Sequence, residues 1–120
     1  MNKWYIPDCY WPKEDHGKYV SHEAICFLNT GTKDAEVSIC LYFEDRDPME
    51  KIIITIPAKR TLHCRMDQLR DNEGNIIPRG VPYAAEVSSE ANLTVQYSRL
   101  DTTQADLALA TTIINKESEL

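Results

Sequence analysis

From Val20 onward, apolar and polar residues alternate with a period of two in most regular stretches, the spacing at which successive strand side chains leave on opposite faces. The clearest case is residues 36–43, where Val37, Ile39, Leu41 and Phe43 point one way and Glu36, Ser38, Cys40 and Tyr42 the other. This pattern predicts a half-buried antiparallel strand. Glu44-Asp45-Arg46-Asp47-Pro48 interrupts it, and Lys51-Ile52-Ile53-Ile54-Thr55-Ile56 resumes with β-branched residues until Pro57, which predicts a hairpin. Arg60 to Met66 alternates again, with Leu62, Cys64 and Met66 on a core face and Thr61, His63 and Arg65 on a polar one. Tyr83 to Ser88 and Leu93 to Arg99 read as two further strands, split by the turn-like Glu90-Ala91-Asn92.

The first strand, Val20 to Asn29, has a Ser-His-Glu opening that runs directly into an apolar stretch, as if a buried strand carried a polar site at its mouth. Asn29-Thr30-Gly31-Thr32 supplies the turn after it. Residues 1–19 show neither helical nor strand periodicity and read as an N-terminal aromatic arm. The rings of Trp4, Tyr5, Tyr10 and Trp11 carry too much apolar area for a solvated tail, so they cover an end of the sandwich or line a pocket or subunit contact. Residues 67–80, with Asp71-Asn72-Glu73-Gly74-Asn75 and Pro78-Arg79-Gly80, read as a surface loop.

After Asp101, a helix cap with Gln104 three residues on, the Ala- and Leu-rich run to Leu109 allows a short helix, while Ala110-Thr111-Thr112-Ile113-Ile114 favours a last strand. The polar residues 115–120 read as a flexible tail. Six or seven short strands punctuated by turns predict one all-β domain, an antiparallel β-sandwich over residues 20–114.

A chain of 120 residues, 42% hydrophobic, can bury one real core. The net charge of −6 offers no general attraction to phosphate backbones, which disfavours nucleic acid as a partner. No apolar run approaches the roughly 18–20 residues that span a bilayer, and the N-terminal residues lack signal-peptide features, so a cytoplasmic location is expected. Cys9, Cys26, Cys40 and Cys64 are widely spaced and make no C-x-x-C pair; they read as free thiols, with neither zinc nor another cofactor implied.

The candidate chemistry lies in three segments expected to converge. Ser21, His22, Glu23, Arg60, His63, Arg65, Gln96 and Arg99 supply hydrogen-bond donors and acceptors, and Trp11, with Trp4 and Tyr97, supplies aromatic faces. A small polar metabolite fits that inventory; Arg60 and Arg99 would suit a carboxylate or phosphate, so a sugar acid is also a fit. The blander alternative makes His22 and Glu23 a buried network that holds strand register, with Arg99 paired to Asp101 or to a neighbouring subunit. Ser21, His22 and Glu23 are adjacent on a strand and so alternate between faces, which disfavours a catalytic triad; His22, Glu23 and His63 are disfavoured as a metal site for the same reason.

Tyr19-Val20-Ser21-His22-Glu23, Asn29-Thr30-Gly31, Ile56-Pro57-Ala58-Lys59-Arg60-Thr61-Leu62-His63, and Gln96-Tyr97-Ser98-Arg99-Leu100-Asp101 with Gln104-Ala105 occur in this order. Over residues 19–114 they strongly resemble the soluble sensory rhodopsin transducer family. That resemblance implies a small cytoplasmic β-sandwich assembling as a homotetramer. Its founding member associates with a membrane photoreceptor and is linked to transcriptional control, while other relatives are thought to bind sugars or similar metabolites. A non-catalytic binding or sensing domain is therefore expected, with a signalling adaptor as the alternative. The stretch Cys9 to His16 departs from the founding member's pattern.

Overall fold

The computed structural model describes residues 1–16, 18–103 and 108–117. They form eight strands: β1 (Asn2–Cys9), β2 (His22–Asn29), β3 (Ala35–Phe43), β4 (Met49–Ile56), β5 (Arg60–Arg65), β6 (Tyr83–Ser89), β7 (Thr94–Asp101) and β8 (Ala108–Ile114). These make two antiparallel sheets, one ordered β1-β6-β3-β4 and the other β5-β2-β7-β8. A 3₁₀ turn, Met66–Gln68, is the one helical element among the described residues, and no helix there is long and apolar enough to cross a membrane. The β-sandwich expected from the alternation is the fold.

Alternation accounts for the core. Ile25 and Phe27 of β2 and Val95 of β7 face Val37, Ile39 and Leu41 of β3 and Val87 of β6 across the two sheets, all essentially free of solvent. β4 keeps both Met49 and Ile52 on the inner side by inserting an extra residue between them, so that two residues stand opposite the single Cys40 that separates their partners Leu41 and Ile39. Lys51 absorbs the bulge in a left-handed conformation, φ 63°. The loop after β5 is more than a surface excursion, since its Ile77 is fully buried and anchors the segment to the core.

Two terminal expectations change. Residues 2–9 are an edge strand of the sandwich and not an arm outside it: β1 pairs with β6 from Asn2↔Ser89 to Cys9↔Tyr83, and Trp4 and Ile6 are core residues. The period was hidden because the register shifts between Ile6 and Cys9, so the Pro7-Asp8 step puts two inward residues three apart. At the other end, Ala108 and Leu109 are strand, paired with Asp101 and Leu100, which settles the open boundary in favour of β8. Gln104 and residues 105–107, the remainder of the possible helix, lie outside the described residues. Beyond β8 the chain crosses to the opposite sheet, where Lys116 bridges to Trp4 and the Glu117 amide donates to the Lys3 carbonyl at 2.8 Å.

Candidate functional site

The register splits the expected site residues between two faces. Ser21, immediately before β2, and Glu23, Ile25, Phe27 and Asn29 along it are buried, while the residues between them turn outward. Across β5, β2 and β7, His63, Cys26 and Gln96 stand in one row, and Arg65, Ala24 and Ser98 in the next; both rows lie on the outer face. His22 is on that face too, its Nδ1 3.0 Å from the Val20 carbonyl. Arg65 is paired with Asp67 at 2.8 Å, and the exposed Arg60 donates to the Lys59 carbonyl at 3.0 Å. The nine residues therefore do not converge on one cavity; alternation along each strand separates them.

Ser21 and Trp11 belong to a clasp that holds residues 11–16 down. The Ser21 amide donates to Asp15 at 2.7 Å, and its Oγ lies 2.9 Å from the Thr102 hydroxyl and accepts from the Thr102 amide at 2.8 Å. The Trp11 indole donates to the Ser21 carbonyl at 3.2 Å. Arg79 closes the clasp: its guanidinium lies 5.1 Å from the Trp11 ring centroid and donates to Asp15 at 2.6 Å and to the Pro12 carbonyl at 2.7 Å. Trp11 thus packs under an arginine.

Glu23 is 1% exposed, and both its carboxylate oxygens are taken. The Tyr10 amide donates to Oε2 and the Tyr83 hydroxyl to Oε1, each at 2.6 Å, and the Tyr97 hydroxyl donates to Oε2. Burial first, then the neighbouring Glu23 carboxylate, raises both phenols well above the ordinary tyrosine range and keeps them protonated as donors. The same two causes raise the buried Cys9 thiol beside them. No buried side-chain nitrogen or oxygen among the described residues lacks a partner, so this network is complete in itself.

Its outlet is Arg99. Nε donates to the Tyr97 hydroxyl at 3.1 Å, and one terminal nitrogen donates to the Asp8 carbonyl at 3.1 Å and to the Asp8 carboxylate at 3.4 Å. The pairing expected with Asp101 is not made; that carboxylate accepts from the Thr103 amide and hydroxyl. The other terminal nitrogen of Arg99 has no hydrogen-bond partner among the described residues, and the side chain is 23% exposed. It opens on a cleft of about 310 Å³ between the edge strands β1 and β8. Ile6, Pro7 and Ile114 form its sides, and Tyr97 and Arg99 its floor.

Of the nine expected residues, Arg99 alone lines this cleft, with Glu23 behind it through Tyr97. Tyr83 and Asp8 were not singled out by sequence reasoning. Tyr83 carried a signal, since alternation places it inward with Ala85 and Val87, and a buried phenol needs a partner. Asp8 carried none, because only the bulge in β1 brings it to Arg99.

These features define a small all-β sandwich domain with an arginine-floored cleft on its open side. The profile of the Anabaena sensory rhodopsin transducer family matches residues 1–115, and the chain belongs to that family. The match takes in β1. The fold superposes on a crystal structure of a Thermotoga maritima protein with a TM-score of 0.83 at 36% identity, over 95% of this chain and 92% of that one. It superposes on the Anabaena sensory rhodopsin transducer itself with a TM-score of 0.71 at 34% identity, over 81% of this chain and 94% of that one. Comparison with curated proteins returned no match.

Proposed function

We propose that the chain is a non-catalytic sensing domain of its family, working in the cytoplasm, which takes a small polar metabolite in the cleft between β1 and β8. The observation that carries this reading is Arg99: a largely buried guanidinium with unused donors, held in place by Tyr97 and Asp8, facing an open space. Such a preset donor fork is what recognition of an oxygen-rich group requires. The free cysteines, two of them buried, accord with a reducing compartment.

The partner side of the reading is a homotetramer. β8 supports it: among the described residues it pairs only with β7, and Leu109 and Ile113 are 71% and 58% exposed. An edge strand with bare apolar residues is stabilised by cover from a neighbouring chain. The same surface also favours a second reading, a signalling adaptor that docks on a membrane photoreceptor, since its Anabaena neighbour is named as the transducer of a sensory rhodopsin.

A thermal-shift screen against sugars, sugar acids and simple carboxylic acids tests the first reading, with Arg99→Met as the site variant and His63→Ala as a control on the outer face. A ligand at 100 times its dissociation constant stabilises the native state by about 2.7 kcal/mol. Saturable shifts lost in Arg99→Met and kept in His63→Ala support the sensing domain. No shift from any compound, together with photoreceptor binding that Ile113→Lys abolishes, supports the adaptor.

A further inference from the structure

We infer that the ligand of the cleft is a small amphipathic carboxylate, one acid group on an aliphatic or aromatic body, rather than a hydroxyl-rich sugar; this rests on the cleft being the ligand site. The cleft carries charge at one end only, and its other polar side groups are the Tyr97 hydroxyl and the hydroxyls of Thr111 and Thr112 on β8. Arg99 and Asp8 stand at the charged end, with Ala110 opposite Arg99, while Ile6, Pro7 and Ile114 line the way toward the end where Lys116 crosses to Trp4. A sugar exposes donors and acceptors around its whole ring, more than the two threonine hydroxyls can partner, and the rest would be desolvated against Ile6, Pro7 and Ile114. A carboxylate with an apolar tail leaves nothing unpaired. The volume of about 310 Å³ holds roughly ten heavy atoms, at the ~30 Å³ that a water molecule occupies.

Asp8 already shows what the arginine takes. Its side chain is 88% exposed and touches Arg99 at 3.4 Å, a long contact that a better-seated carboxylate displaces. The bond from Arg99 to the Asp8 carbonyl, at 3.1 Å, and that to the Tyr97 hydroxyl keep the guanidinium aimed when the Asp8 carboxylate leaves. An incoming acid then gains both terminal nitrogens in a two-pronged arrangement.

The test is calorimetric titration and thermal shift of the full chain with hexanoate, phenylacetate, hexanol, gluconate and glucose. Hexanoate or phenylacetate is expected to bind saturably, with hexanol, gluconate and glucose inert. Arg99→Met abolishes that binding, and Asp8→Asn, which removes the competing carboxylate, tightens it by up to about fivefold. Ala110→Phe fills the cleft beside Arg99, its cross-strand partner, and leaves Tyr97 and Asp8, to which Arg99 is bonded, in place. It therefore abolishes binding while keeping the unfolding midpoint, and it decides the matter if Arg99→Met fails to fold. Binding of gluconate or glucose with hexanoate and phenylacetate inert overturns this inference and leaves the cleft as a ligand site. Carboxylate binding that survives Ala110→Phe overturns it as well, and no binding by any of the five overturns both.

Discussion

The Nε of Arg99 donates to the hydroxyl oxygen of Tyr97 at 3.1 Å, while the proton of that same hydroxyl goes to Glu23. One phenol thus ties a buried carboxylate to the group that faces the cleft, and its loss affects stability and recognition together. Tyr97→Phe leaves Glu23 short of a donor and Arg99 without its acceptor. A loss of about 1–3 kcal/mol in urea unfolding is expected, with weaker ligand response at the cleft. A variant as stable as wild type would show that the Tyr97 hydroxyl contributes nothing to folding.

Alkaline pH acts on the same cluster. Tyr83 and Tyr97 have pKa values raised above the ordinary 10.0, first by burial and then by Glu23. A group whose folded pKa is raised binds its proton more tightly in the native state. Its stabilisation is complete below pH 10.0 and is lost as pH rises above that value. Unfolding free energy should fall on that side, and absorbance titration should show two tyrosines that ionise only as the chain unfolds.

At the acid end, the clasp carries the sign the other way. The hydrogen bond from Arg79, then that from the Ser21 amide, hold Asp15 below its ordinary value of 3.8. A depressed folded pKa contributes stability that is present above 3.8 and disappears as pH falls through the lowered native value. Asp15→Asn should therefore be less stable than wild type near neutrality, and the gap should close in acid. Limited proteolysis within residues 11–16 should accelerate in the same variant.

Asn29 predicts a purely structural effect. Its side-chain amide donates to the carbonyls of Lys33, Ile56 and Pro57, at 2.9, 3.1 and 3.3 Å, and its Oδ1 accepts from the Gly31 amide at 3.0 Å. It is 2% exposed, so Asn29→Ala removes the donor from the Ile56 carbonyl, whose bond is buried, and from the half-buried bonds to Lys33 and Pro57, at the join of β2–β3 and β4–β5. A cost of about 1–3 kcal/mol follows, read by urea unfolding, with ligand binding at the distant cleft unchanged at temperatures where the variant is folded.

The cysteines should separate by depth. Cys9 and Cys64 are buried, and burial lifts the Cys64 thiol to about 11. Cys26 and Cys40 are half-buried on the outer faces of the two sheets. Maleimide labelling followed by mass spectrometry should modify these two in the native protein and the other two only on unfolding.

The strands from β2 to β7 were legible because each keeps one side in the core, and burial imposes a period of two on the sequence. Where that period is broken by a bulge, as at Pro7-Asp8 in β1, the same apolar residues looked irregular. β8 was ambiguous for a different reason: its residues are exposed on both faces, apart from the half-buried Ile114, so no single burial direction orders them.

Among the candidate residues, alternation along β2 already separated His22 from Glu23, since that depends on neighbouring atoms alone. It could not say which residues of other strands would meet them. That Glu23 faces Tyr83 of the opposite sheet, that Arg99 leaves Asp101 for Asp8, and that His63 and Gln96 sit outside in one row are matters of register and sheet order. The sequence by itself determined the strands from β2 to β7, their inner faces and the family, because these rest on local periodicity and on motifs in a fixed order. Only the tertiary structure decided the cleft, because its floor and walls come from residues about ninety positions apart, brought together by packing β1 and β8 on the same open side.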